Sequence, residues 1–115
     1  MSAQSEQDQV NIVRLVGRIG AVPVETDLPS GDTIARFRVI VGRPEGHGST
    51  QWVDTLDCTA WTPRVRRSAR TWHKDDVVEV EGAIRRRFFA TAAGRSSRVD
   101  IEVSGARMIR RAPSA

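Results

Sequence analysis

Residues 53–89 read VDTLDCTAWTPRVRRSARTWHKDDVVEVEGAIRRRFF, and the hydrophobic period of this run changes twice. From Val53 to Trp61 it is two. Leu56, Cys58 and Ala60 fall on one side and Thr55, Asp57, Thr59 and Trp61 on the other, which marks a half-buried strand. The period then lengthens. Thr62 suits a helix cap, Pro63 suits the first helical position, and Val65, Ala69 and Trp72 follow at i, i+4 and i+7. Arg64, Arg66, Arg67 and Arg70 take the remaining, solvated faces of that helix. Lys74-Asp75-Asp76 turns the chain, and period two returns over Val77 to Phe89. There Val78, Val80, Gly82, Ile84 and Phe88 share the inward parity, and Glu79, Glu81, Arg85, Arg87 and Phe89 share the other.

Outside this run the chain reads as strand and turn. Upstream, Val13, Leu15, Gly17 and Ile19 alternate with Arg14, Val16 and Arg18. A break at Gly20 and Pro23 leads through Val24-Glu25-Thr26 into the turn-rich Leu28-Pro29-Ser30-Gly31-Asp32. Thr33 to Val41 is the clearest strand, with Ala35, Phe37, Val39 and Val41 inward and Ile34, Arg36, Arg38 and Ile40 outward. The Gly-rich stretch 42–51 is a flexible hairpin tip. Downstream, Ala92 to Arg95 turns the chain into a last strand with Val99, Ile101 and Val103 inward. Strands with one short helix between the third and fourth, then a closing hairpin, predict an all-β fold: a five-stranded Greek-key barrel of the OB type. Residues 10–110 form that domain, after a flexible N-terminus (1–9) and before a short basic end (111–115).

The chain has 115 residues and carries 18 basic against 14 acidic side chains, a formal charge of +4. All the basic residues but Lys74 are arginine. A guanidinium grips phosphate bidentately and stacks on flat rings, which an ammonium does not. With an isoelectric point near 10.9, the balance points to a polyanionic partner. No stretch approaches the roughly 18 apolar residues of a membrane span, and the start lacks a signal-peptide apolar region, so the expected setting is soluble and cytoplasmic. Cys58 is the single cysteine, which excludes an internal disulfide and a cysteine-cluster zinc site. His47 and His73 show no ligand pattern, so neither a metal nor another cofactor is expected.

With the apolar parities turned to the core, the opposite face collects Arg14, Arg18, Arg36, Arg38, Arg85, Arg87, Trp61 and Phe89. A positive groove set with exposed rings is what a single strand needs, because its phosphates want charge and its unpaired bases want stacking partners. A duplex hides its base faces. Trp61 and Phe89 are therefore the expected stackers, whereas Phe37 and Phe88 share parity with core positions. Trp52, beside the Gly-rich hairpin, is a candidate for either role.

The segments Asn11 to Ile19, Ala35 to Val39 and Glu81 to Arg85, in this order and spacing, resemble the bacterial single-stranded DNA-binding proteins. Trp61 falls where that family places an aromatic ahead of a strand Glu-Gly, here Glu81-Gly82, and Phe89 matches its following aromatic. The resemblance covers roughly residues 10–110. It implies an OB barrel working as a homotetramer (a dimer being the alternative) that binds single-stranded DNA without sequence preference, RNA staying open as a partner. It also implies service in replication, recombination and repair at the nucleoid, with no catalysis. Stacking roles carry over onto Trp61 and Phe89, and phosphate contacts, more loosely, onto the outward arginines. Three departures stand out. Thr55 occupies an aromatic position of the family, with Trp52 as a substitute; Lys74-Asp75-Asp76 replaces Lys-Gly-Asp, so an Asp takes a left-handed conformation. The chain resembles short paralogues without the acidic tail that recruits repair proteins.

Two other readings share these residues. A primosomal replication-restart accessory protein has the same fold and also binds single strands. An OB-type protein-docking module would use the same rings on a protein and show no steep salt dependence. An enzyme fits worst: Asp54 and Asp57 lie on opposite faces of a strand, and no nucleophile pattern appears.

Overall fold

The computed structural model describes residues 8–46 and 48–113. Most of the expected flexible N-terminus, part of the basic end and His47 lie outside the described residues. Among the described residues, six strands and one helix follow in the order β1 (Val13–Ile19), β2 (Val24–Asp27), β3 (Thr33–Gly42), β4 (Val53–Ala60), α1 (Pro63–Ala69), β5 (Val77–Thr91) and β6 (Gly94–Arg110). The sheet runs β1-β5-β6-β4-β3-β2, and β1 also pairs with β3 through Arg18–Ile40 and Ile19–Val39, which closes a barrel of five strands. All pairings are antiparallel except β4–β6, a seam of Cys58 against Ile101 and Thr59 against Glu102. The expected five-stranded barrel, with its helix between the third and fourth barrel strands, is therefore present. Among the described residues no helix is long and apolar enough to cross a membrane.

The core is the inward parity read from the sequence. Ile19, Ala35, Phe37, Val39, Cys58, Ala60, Val78, Val80, Ile101 and Val103 are buried, and Val65, Ala69 and Trp72 close one end. Trp72 meets Phe37 edge to face, with ring centroids 5.1 Å apart and planes at 84°. The Thr62 hydroxyl accepts from the Val65 amide and caps α1, with Pro63 in its first turn. Burial, with the Asp100 and Asp57 charges nearby, pushes the Cys58 thiol up to about 12. A Cβ on Gly82 would stand 1.9 Å from the Glu102 carbonyl oxygen, so only glycine lets β5 approach β6 there. At this point β6 carries an extra residue, Ser104, since Glu81 pairs with Gly105 and Gly82 with Val103.

Several sequence expectations need correction. Residues 24–27 form a strand, because β3 outlasts β1 and offers Thr33 to Arg36 to a second partner. Ile34, expected outward, is 3% exposed, and Thr59 is buried because its hydroxyl donates to Asp100 Oδ2 at 2.6 Å. Phe88, Ile84 and Val99, expected in the core, are exposed. Their parity is right, but there is nothing to face. From Ala83 to Arg98, β5 and β6 pair only with each other, as a hairpin running past the barrel. Asp75 takes the expected left-handed conformation, at φ 70°.

Asp76 ties the chain's end to the barrel. It is buried, accepts the Ala112 and His73 amides at 2.8 and 2.9 Å, and receives the Arg111 guanidinium at 2.8 Å. Those amides, then Arg111, hold its carboxyl down at about 2. A carboxyl lowered on folding stabilises fully above its ordinary value, near 3.8, and loses that contribution as pH falls through 2. Thermal melts of Asp76→Asn should accordingly lie well below the parent's at pH 6. The gap should narrow towards pH 2, and a gap constant across that range would refute the assignment.

Candidate nucleic-acid interface

Two hollows lie side by side on the barrel wall. The first, of about 560 Å³, runs from Gly20, Val22 and Val24 past Ile40 and Thr55 to Arg36, Arg38, Asp57, Arg98 and Asp100. The second, of about 420 Å³, is lined by Leu28, Ile34, Arg36, Thr59, Trp61, Arg86, Arg87, Phe88 and Arg98. They meet at Arg36, Thr59 and Arg98. The second holds four guanidiniums, two aromatic rings and no carboxylate among its lining residues.

The structure brings part of the expected set together. Arg36 lines both hollows, Trp61 and Arg87 the second, and Arg38 the first. Trp61, directly before the cap of α1, is half-buried, and the Arg87 guanidinium stands 5.5 Å from its ring centroid, within cation–π range. Arg14, Arg18, Arg85, Trp52 and Phe89 line neither hollow. Trp52 is 74% exposed, with its carbonyl accepting from the Arg43 amide, and Phe89 is 45% exposed on the hairpin, opposite Ser96.

Ion pairing sorts the arginines further. Arg38 pairs with Asp57 at 2.9 Å, Arg85 with Glu102 at 2.6 Å, Arg18 with Asp75 at 3.3 Å, and Arg87 with Asp100 at 3.2 Å. Glu79 sits between Arg107 and Arg14, whose guanidiniums hold its carboxyl below the ordinary range. Arg36 and Arg98, by contrast, have no ion pair among the described residues, and Arg86 only reaches the Ser97 hydroxyl at 3.2 Å. Arg87 and Arg98 are direct cross-strand partners, a like-charge juxtaposition that costs stability. An anionic ligand between them would remove that cost.

Residues 10–109 match the model of the single-strand binding protein family. The chain belongs to that family. A curated relative, the single-stranded DNA-binding protein of Oceanobacillus iheyensis, is 30% identical over 88 residues, 76% of this chain and 55% of the relative. The chain thus spans about half the length of the curated relative it matches. Among solved structures, the Plasmodium falciparum SSB in complex with ssDNA superposes with a TM-score of 0.69, over 90% of this chain and 96% of that one. At 18% identity that likeness establishes a shared fold.

For this member of the single-strand binding protein family, strand parity alone missed Arg98, Arg86 and Phe88. Arg98 lies on the hairpin strand, whose register against β5 no local pattern reveals. Phe88 carries core parity and is exposed only because the hairpin overshoots. The arginine run 85–87 was the available signal, and its last two members, with Phe88 after them, line the second hollow. Thr55 lines the first hollow, where the ring among the lining residues, Phe37, is buried.

Proposed function

We propose that this protein binds single-stranded DNA without sequence preference, bases stacking on Trp61 and hairpin rings while arginines hold phosphates. The carrying observation is the pair of adjoining hollows that meet at Arg36 and Arg98, which have no ion pair among the described residues, with Trp61 and Phe88 lining one of them. A strand crossing both finds charge for its backbone and rings for its bases. Phe89 and Trp52 extend the ring surface along the hairpin and beside β4. Arg38, Arg85, Arg87, Arg14 and Arg18 contribute by exchanging a carboxylate for a phosphate. The reading includes a role in replication, recombination and repair as a homo-oligomer, binding without catalysis. The same platform would admit RNA, since stacking tells the two backbones apart poorly.

Titration with an oligothymidine and with a duplex, followed by tryptophan fluorescence at several salt concentrations, tests this. Strong quenching by the single strand, weak response to the duplex and salt-sensitive affinity are expected; equal responses would reject the proposal. Trp61→Ala should weaken single-strand binding by about 1–3 kcal/mol with little change in stability. A large stability loss at unchanged affinity would make Trp61 a packing residue only.

A further inference from the structure

The second hollow holds more positive charge than a bridging phosphate calls for. A phosphodiester carries one negative charge, whereas a terminal phosphate carries about 1.5 to 2 at neutral pH with three strong acceptor oxygens. Of the four guanidiniums lining this hollow, only Arg87 has a carboxylate partner among the described residues, Asp100. Arg86 alternates with Arg87 to the other face of the hairpin, where it reaches Ser97, so Arg36 and Arg98 are left for a ligand.

Two buried donors in the same wall point the same way. Trp61 Nε1 and Arg87 Nη2 are both buried and have no hydrogen-bond partner among the described residues. Arg87 Nη2 stands 3.9 Å from Glu102 Oε2, too far for a hydrogen bond. Buried donors are rarely left unpaired, because an unmet hydrogen bond costs more than a made one gains. No carboxylate among the lining residues meets them. Beside these donors the hollow is lined by Trp61 and the apolar Leu28 and Ile34, suited to a base, with Phe88 at its hairpin side.

We propose that this hollow is a subsite for a nucleotide bearing a terminal phosphate, its base against Trp61 and its phosphate between Arg36 and Arg98. This deepens the single-strand reading and rests on it for the ligand class. A phosphorylated strand end and a free mononucleotide share the chemistry.

The test uses the full chain and one oligothymidine in three forms: phosphorylated at the 5′ end, at the 3′ end, or at neither. At low salt, one phosphorylated form should bind about tenfold tighter than the unphosphorylated strand. Equal affinity of all three would overturn the subsite; the single-strand reading would still stand if the unphosphorylated strand binds, and would fail with it if none does. Arg36→Gln combined with Arg98→Gln should bring the ratio of phosphorylated to unphosphorylated affinity close to one, circular dichroism confirming the fold. A ratio that survives this change would equally reject the assignment. Thymidine monophosphate as competitor separates the sources: abolishing the tenfold advantage assigns the site to free nucleotides, and leaving it intact assigns it to the strand end.

Discussion

Replacing Trp72 by alanine should lower the free energy of unfolding by about 3–5 kcal/mol, a large part of the roughly 5–15 kcal/mol that holds a domain of this size together. Trp72 is 2% exposed and plugs one barrel end beneath Val65 and Ala69 of α1. Its ring meets Phe37 edge to face, a geometry that adds to the area buried. The helix has only seven residues, too few to persist alone, so its place depends on this plug. Urea denaturation followed by far-ultraviolet circular dichroism reads the loss. Trp72→Phe should keep most of the stability, since it retains a ring against Phe37. Loss below about 1 kcal/mol in the alanine variant would mean that the barrel end is sealed by other side chains. Trp72 lines neither hollow, so the folded fraction should bind a single strand as tightly as before.

The second large effect concerns charge. Arg36→Gln together with Arg98→Gln should reduce the slope of log affinity against log salt by about 1.4, at roughly 0.7 for each phosphate of a single strand that is no longer neutralised. Both guanidiniums lack a carboxylate partner among the described residues, so a phosphate arriving there releases its own counterion and meets a free cation. Arg38→Gln with Arg85→Gln removes the same formal charge and should behave otherwise. Each of those arginines already holds a carboxylate, Asp57 or Glu102, and its loss uncovers a negative charge that repels the strand. Affinity falls in that pair as well, but the slope moves less. Equal slope changes in the two double variants would show that ion pairing on this face does not decide which arginines meet phosphate.

The barrel was legible because its evidence is local. Period two in β1, β3, β4 and β5 and the cap-to-Trp72 stripe of α1 each lie within a short run of residues, and the core follows from them. What was hidden depends on who lies opposite. Parity assigns Phe88, Ile84 and Val99 to a face but does not say whether anything covers it, and the hairpin carries all three beyond the barrel. Thr59 keeps its outward parity but is buried where it bonds Asp100, a partner fixed by the β4–β6 seam. The site shows this most. The outward arginines formed one equivalent set in the sequence, and cross-strand acids then divided them into paired and unpaired groups. Arg98 owes its importance to its place opposite Arg87, a relation set by the register of β5 against β6.

The hidden thiol of Cys58 makes the chain ready for single-position chemistry. At 2% exposure and a pKa of about 12, it stays protonated and out of reach of a maleimide at neutral pH while the barrel is closed. A cysteine installed at the exposed hairpin tip, in place of Ala93, would then take a dye alone, with no native residue to remove first. Such a dye sits at the far end of the hairpin and would report, molecule by molecule, whether that arm closes over a bound strand.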